Sequence, residues 1–108
     1  MQMEITPQDV QRRLSAGEKL RLIDVREPFE FQKARIEGAE LIPMRTIPKA
    51  LSLFEEEENP IVVFCHHGMR SLQVVGWLRE QGIGNCSSMA GGIDRWSLEV
   101  DPNVPRYG

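Results

Sequence analysis

The chain of 108 residues contains no hydrophobic run long enough to cross a bilayer. Its longest uncharged apolar run, Ile61 to Cys65, has the length of a strand, so the sequence predicts no membrane span. No basic segment followed by an apolar stretch stands at the N-terminus, and this lack of a secretory signature favours the cytoplasm. Arginines are scattered and the net charge is −3, so we expect no nucleic-acid partner.

Cysteine is also scarce. Cys65 and Cys86 are the only two, and neither belongs to a CxxC pair, so a disulfide framework is excluded. Cys65 is followed by His66 and His67, and all three side chains can ligate a metal ion. Three consecutive residues, however, do not easily converge on one tetrahedral ion. The sequence therefore predicts neither a metal site nor a cofactor.

Strand and helix signals alternate along the chain. Strands are predicted at residues 3–5, 20–25, 38–43, 61–64 and 86–89, and helices at 6–16, 27–33, 47–54, 71–81 and 94–97. This alternation indicates one α/β domain over residues 1–108 with a mainly parallel sheet, followed from 101 to 108 by an irregular tail. Ligands of such sheets bind beyond the carboxyl ends of the strands, which places the Cys65 turn in a crevice.

The turn from Cys65 to Ser71 combines features that activate a thiol. The backbone N–H groups of His66 through Arg70 can point inward, and together with the N-terminus of the following helix they favour a thiolate or a bound anion. Gly68 permits a positive φ where the turn must curl, Arg70 adds a permanent cation, and Ser71 is a candidate helix cap. Cys86 lies inside a predicted strand and is not directly followed by a turn, a glycine, an arginine and a helix in order, so we interpret it as a core residue.

His66 and His67 allow two interpretations. One of them could act as a base or adjust the charge of the turn near neutral pH, or both could simply line its mouth. For His66 the two interpretations are equally supported, whereas His67 is better explained as an exposed loop residue.

Four segments resemble motifs of single-domain rhodaneses, which are sulfurtransferases, and together they cover nearly the whole chain. The segments are Leu22–Glu27, Ile36–Pro43, Cys65–Ser71 and Gly91–Trp96. One departure is the pair Ala34-Arg35, where relatives often carry Gly-His before the isoleucine. The resemblance implies a rhodanese-like three-layer sandwich with a five-stranded, mainly parallel sheet flanked by helices.

The resemblance also implies the transfer of a sulfane sulfur. Cys65 would take the outer sulfur of thiosulfate or a similar small anion as a persulfide and pass it to a thiol, cyanide or a sulfur-carrier protein. The substrate-binding residues implied are His66, His67, Gly68, Met69 and Arg70. Supporting residues would be Asp24 and Arg26 as a structural salt bridge, Ser71, and Gly91 with Gly92, which allow close approach to the loop.

Two other functions fit parts of the pattern. Phosphatases and arsenate reductases with a similar architecture have one more residue between the cysteine and the arginine, and the shorter loop here suits a single sulfur atom better. The chain could instead be a persulfide carrier or a binding module without turnover, with the acidic run Glu55–Glu58 either a docking surface or, as we prefer, plain solvated surface.

Overall fold

A computed structural model describes residues 2–108. Its five strands are β1 (Glu4–Ile5), β2 (Arg21–Asp24), β3 (Glu40–Leu41), β4 (Ile61–Phe64) and β5 (Cys86–Met89). Its helices are α1 (Pro7–Ser15), α2 (Pro28–Lys33), α3 (Ser52–Glu55), α4 (Met69–Glu80) and α5 (Gly92–Glu99). No helix in this part of the chain has the length and apolar character needed to cross a membrane.

The strands form one sheet in the order β1-β5-β4-β2-β3, and every neighbouring pair is parallel. This confirms the predicted α/β sheet. The central strand, β4, is apolar on both faces because helices cover both faces of the sheet. Along β4, Val62 and Phe64 face one cluster of buried side chains, and Ile61 and Val63 face the other.

The two clusters define the three layers. On one face the sheet packs against α3 and α4, with Phe54 and Leu78 among the buried contacts. On the other face it packs against α1 and α5, through Val10, Ile93 and Trp96. The carboxyl ends of β2, β4 and β5 therefore open at one edge, where the Cys65 loop lies.

The strand within 38–43 is shorter than that segment, at Glu40–Leu41, and three predicted helices differ most from the structure. The segment 47–54 is not one helix: 3-10 turns at Met44–Thr46 and Pro48–Ala50 precede the short α3. Pro48 lacks an N–H and so cannot continue a regular helix through this segment. Helix α4 begins two residues earlier than predicted, and α5 is longer than the predicted 94–97, because left-handed Gly68 and Gly91 turn the chain directly into each helix.

The tail from 101 to 108 has no helix or strand, as predicted. It nevertheless lies against the domain, since Val104 is buried in the core and Tyr107 is half-buried.

Candidate active site

Cys65 follows the last residue of β4 directly, and four residues separate it from Arg70 in the first turn of α4. Gly68, the N-cap of α4, has a φ of 103°, so the predicted positive φ is confirmed. A side chain at this position would also crowd Gly91, because a Cβ would lie 3.2 Å from the Gly91 nitrogen. Gly68 thus lets the loop fold tightly over the sulfur.

The Cys65 sulfur takes the place of a helix-capping oxygen. Its Sγ accepts the Gly68 N–H at 3.1 Å and the Ser71 N–H at 3.4 Å, two of the donors that the start of α4 leaves without a helical partner. Two amide dipoles and the N-terminus of α4 therefore point at this sulfur. The sequence predicted inward amides over residues 66–70, and Ser71, one residue beyond, is the second donor.

Ser71 does not cap α4, so that prediction is wrong. The helix begins at Met69, which places Ser71 inside its first turn. Its hydroxyl donates to the Gly68 carbonyl at 3.2 Å and pairs with the Ser88 hydroxyl at 2.7 Å, while its Oγ lies 3.5 Å from the Cys65 sulfur. Ser71 therefore ties the loop to β5 beneath the sulfur.

Cys65 is only 1 % exposed, so the residue lies at the floor of its loop rather than in an open crevice. The reason is the tight loop itself, which folds its amides onto the sulfur. A cavity of about 430 Å³ lies beside the Arg70 end of the loop, lined by Val25, Glu27, Met44, Arg45, Pro48 and Arg70. This cavity lies at the predicted edge of the sheet, and Cys65 is not among the residues that line it.

Gly91 and Gly92 approach the loop as the sequence predicted. Both have positive φ values, 74° and 61°. A Cβ on Gly92 would lie 2.4 Å from the carbonyl oxygens of Cys65 and His66, and the N–H of Ile93 donates to the Cys65 carbonyl at 2.8 Å. The start of α5 therefore fixes the backbone of Cys65 from the side opposite α4.

The Arg70 guanidinium forms an ion pair with Glu30, a residue that the sequence analysis did not identify. It donates to both Glu30 carboxylate oxygens, at 2.8 and 3.0 Å, and this pairing holds the pKa of Glu30 at about 2. The same pairing raises the pKa of Arg70. Arg70 is thus an ion-paired anchor for the loop end, and the loop amides remain the direct donors to the sulfur.

Asp24 and Arg26 form the predicted structural salt bridge, and both side chains are fully buried. Arg26 contacts both Asp24 oxygens, at 2.9 and 2.7 Å, and also donates to the carbonyls of Glu30 and Ala34. Since these carbonyls lie in and just after α2, the pair fixes the helix that carries Glu30. Asp24 and Arg26 therefore support the loop through α2 and do not contact the sulfur.

The remaining loop residues differ in their surroundings. Met69 is 73 % exposed, and the His67 side chain is 61 % exposed, as expected for the rim. His66 is half-buried, stacked between His67 and Tyr107, and burial together with the charge of His67 lowers the pKa of His66. Tyr107 carries no motif in the sequence, so nothing there could have placed it at the site.

His66, His67 and Asp94 bring possible metal-ligand atoms within 4.8 Å of one another. His66 Nε2 is bonded to the Tyr107 carbonyl, and both Asp94 oxygens accept from Arg106. The two imidazole rings are stacked with centroids 3.9 Å apart, which does not direct their in-plane lone pairs to one point. The arrangement is therefore better described as a packed rim than as a metal centre.

Comparison with known proteins decides the family. The model of the rhodanese-like domain matches residues 6–99. The chain belongs to the rhodanese-like family. A sulfurtransferase of Allochromatium vinosum is 33 % identical to this rhodanese-like chain over 105 residues, which are 97 % of each protein.

Other relatives are longer. The chloroplastic rhodanese-like/PpiC domain-containing protein 12 of Arabidopsis thaliana is 38 % identical over 94 residues, 83 % of this chain and 31 % of that protein. The probable adenylyltransferase/sulfurtransferase MoeZ of Mycobacterium tuberculosis is 33 % identical over 104 residues, 95 % of this chain and 26 % of that protein. The chain thus spans about a third or less of the length of these two relatives.

Solved structures agree with the fold. A rhodanese-like domain protein from Staphylococcus aureus superposes with a TM-score of 0.83 at 29 % identity, covering 99 % of this chain and all of that one. The human single-domain sulfurtransferase TSTD1 gives a TM-score of 0.80 at 27 % identity, covering 92 % and 98 %. The rhodanese-like fold predicted from the four motifs is confirmed.

Proposed function

We propose that this rhodanese-like domain moves a sulfane sulfur from thiosulfate, or a similar small anion, to a thiophilic acceptor through a persulfide on Cys65. The observation that carries the proposal is the pair of amides, from Gly68 and Ser71, that donate to the Cys65 sulfur at the N-terminus of α4. Because both donors are backbone groups, the site stabilises negative charge without a metal or a neighbouring base.

The reaction has two steps. In the first, the Cys65 thiolate attacks the outer sulfur of thiosulfate, a new S–S bond forms, the old S–S bond breaks and sulfite leaves with its electron pair. In the second, a nucleophilic acceptor such as cyanide or a thiolate attacks the outer sulfur of the persulfide, and the Cys65 thiolate leaves. With cyanide the product is thiocyanate. No net oxidant or reductant is needed in either step.

The loop amides serve both steps. The outer sulfur of a deprotonated persulfide is anionic, and the amides that donate to the resting sulfur are the nearest donors for it. Arg70 adds little net positive charge at the loop, because Glu30 forms an ion pair with it. The pair instead fixes the end of the loop, so that the amides keep their direction while a sulfur is added.

Intact mass after incubation with thiosulfate tests the proposal. The wild-type protein should gain the mass of one sulfur atom, and a reductant should remove it. Cys65→Ser should gain nothing, because it lacks the accepting sulfur, and should unfold at nearly the wild-type temperature, because a hydroxyl can still accept the Gly68 N–H. A Cys65→Ser protein that still acquires a reducible sulfur would refute the assignment of Cys65.

The two cysteines supply an internal comparison. At neutral pH, iodoacetamide should modify Cys65 much faster than Cys86, because the Cys65 sulfur accepts hydrogen bonds from two N–H groups at the start of α4, whereas burial, which outweighs the opposing effect of Arg79, raises the pKa of Cys86. Peptide mapping after timed quenching measures both rates in the same sample. Equal rates in the folded protein would contradict the activation of Cys65.

An aryl phosphate is the comparison substrate for the phosphatase alternative. The short spacing between Cys65 and Arg70 and the pairing of Arg70 with Glu30 both disfavour a tetrahedral phosphate, which needs more room and a free cation. We therefore expect thiocyanate formation with thiosulfate and cyanide, and no release of phosphate. The reverse result would replace the sulfurtransferase proposal.

A further inference from the structure

The C-terminal tail lies directly on the active-site loop. Tyr107 is 41 residues from His66 along the chain, yet its carbonyl accepts a hydrogen bond from His66 Nε2 at 2.9 Å. The two rings are also stacked, with centroids 3.9 Å apart and planes 8° from parallel. Since His66 follows Cys65 directly, the tail contacts the beginning of the loop.

The Tyr107 hydroxyl reaches the other end of the loop. It donates to Glu30 Oε2 at 2.7 Å, and Arg26 donates to it at 2.9 Å. The same Glu30 carboxylate holds Arg70, the residue that ends the loop. One side chain thus joins the buried Arg26 to the carboxylate that anchors Arg70.

We propose that Tyr107 is a positioning residue for Cys65, holding the His66 end of the loop directly and the Arg70 end through Glu30. The donor amides of Gly68 and Ser71 lie between or next to these two anchored ends. This role of Tyr107 depends on the proposed sulfurtransferase function through one of its two measurements, the rate of sulfur loading. The other measurement, the titration of His66, does not depend on it.

Tyr107 should affect the rate of sulfur loading because the positions of the two donor amides depend on the loop. Both amides lie within 3.4 Å of the sulfur, and a loop freed at either end would average over arrangements in which they do not. Displacements of this kind commonly slow a reaction far more than they destabilise a fold. Tyr107 itself touches neither sulfur nor donor, so its contribution passes through His66 and Glu30.

Two substitutions separate its contacts. Tyr107→Phe removes the hydroxyl bonds but keeps the ring stack and the carbonyl bond to His66. Tyr107→Ala removes the ring as well. We expect the rate of Cys65 persulfide formation, followed by intact mass in a single turnover, to fall a few-fold in the Phe variant and about tenfold in the Ala variant.

Val10→Ala is the control for a purely structural effect. Val10 is buried in α1 and packs in the core cluster that Tyr107 borders, but it has no contact with the loop. This variant should unfold at a lower temperature and load sulfur within about twofold of the wild-type rate, as expected for a site remote from the chemistry. Tyr107 variants that load as fast as wild type while still folded, or no slower than Val10→Ala, would overturn the proposal.

The titration of His66, followed by NMR, is independent of the sulfur donor. Tyr107 buries the ring, and the groups around it are His67, Asp94 and Glu30. Loss of the Tyr107 ring should raise the pKa of His66 toward its ordinary value, whereas Tyr107→Phe should leave it nearly unchanged. The Tyr107 carbonyl, whose hydrogen bond raises the pKa of His66, is retained in Tyr107→Ala, so an unchanged pKa in that variant would show that the Tyr107 ring does not bury His66 and would overturn its role in holding the loop. If the wild-type protein fails to load sulfur, the proposed function falls, and this titration alone decides the role of Tyr107.

Discussion

Glu30→Gln tests how the loop is anchored. In the wild type, the Glu30 carboxylate accepts four hydrogen bonds: two from Arg70, one from the Glu27 N–H and one from the Tyr107 hydroxyl. The substitution keeps the shape and removes the charge. Because Arg70 would then lie beside an amide instead of a carboxylate, the folded protein loses the interaction that stabilises ionised Glu30.

The pKa of Glu30 gives the magnitude. It lies at about 2 in the folded protein against an ordinary value of 4.5, so ionised Glu30 stabilises the fold by about 3 kcal/mol at pH 7. The lowered pKa makes this contribution complete above pH 4.5 and removes it as the pH falls toward 2. At pH 3 it should be about half as large. The Arg70 side chain is 35 % exposed, so water hydrates it in the variant and limits any further cost.

Urea unfolding at pH 7 and pH 3, followed by tryptophan fluorescence, measures both values. Glu30→Gln should lower the free energy of unfolding by about 3 kcal/mol at pH 7 and by about half of that at pH 3, where Glu30 of the unfolded chain is already protonated. Glu58→Gln, on the exposed acidic run, is the matched control and should change neither midpoint. A loss that is equal at the two pH values would refute the ionic explanation.

Two further substitutions test the supports of the loop. Gly92→Ala should destabilise the fold and abolish sulfur loading, because the new Cβ would lie 2.4 Å from two loop carbonyls. Gly76→Ala is the control: its Cβ would meet open space inside α4, so this variant should stabilise the protein by about 0.5–1 kcal/mol. Equal changes in unfolding temperature for the two variants would contradict this contrast. Asp24→Asn should lower the free energy of unfolding by about 3–5 kcal/mol in urea titrations, because it leaves the fully buried Arg26 without its countercharge, and a loss below 1 kcal/mol would show that Arg26 is satisfied by its other partners.

The parts of the site that adjoin one another in the chain were predictable from the sequence. An apolar strand, a cysteine, a glycine that permits positive φ and a helix follow in order from residue 61 to 80, and each has a local signal. The pairing of Asp24 with Arg26 was also predictable, because both lie at the end of one strand. These relations depend on short-range geometry, which sequence patterns encode.

The anchoring of the loop depends on long-range contacts and was missed. Glu30 lies 40 residues from Arg70, and in sequence it is marked only as the third residue of a short helix, where its carboxylate also caps the Glu27 N–H. Tyr107 stands in a segment with no periodicity, so only the packing of the tail brings it to the site. The sequence therefore predicts the nucleophile more fully than the groups that hold it.

Burial alone does not separate the two cysteines, because Cys65 is 1 % exposed and Cys86 is fully buried. Their hydrogen-bonding partners do separate them. The Cys65 sulfur accepts from two backbone N–H groups and donates to the Ser71 hydroxyl at 3.5 Å. The Cys86 sulfur donates to the Ile83 carbonyl at 3.3 Å, and the effect of burial, which raises its pKa, outweighs the opposing effect of Arg79. The two inward N–H donors thus distinguish Cys65 even though little of it is exposed. In the sulfur transfer proposed for Cys65, the loop must admit the sulfur donor, and this is why the anchors of the loop should govern the rate.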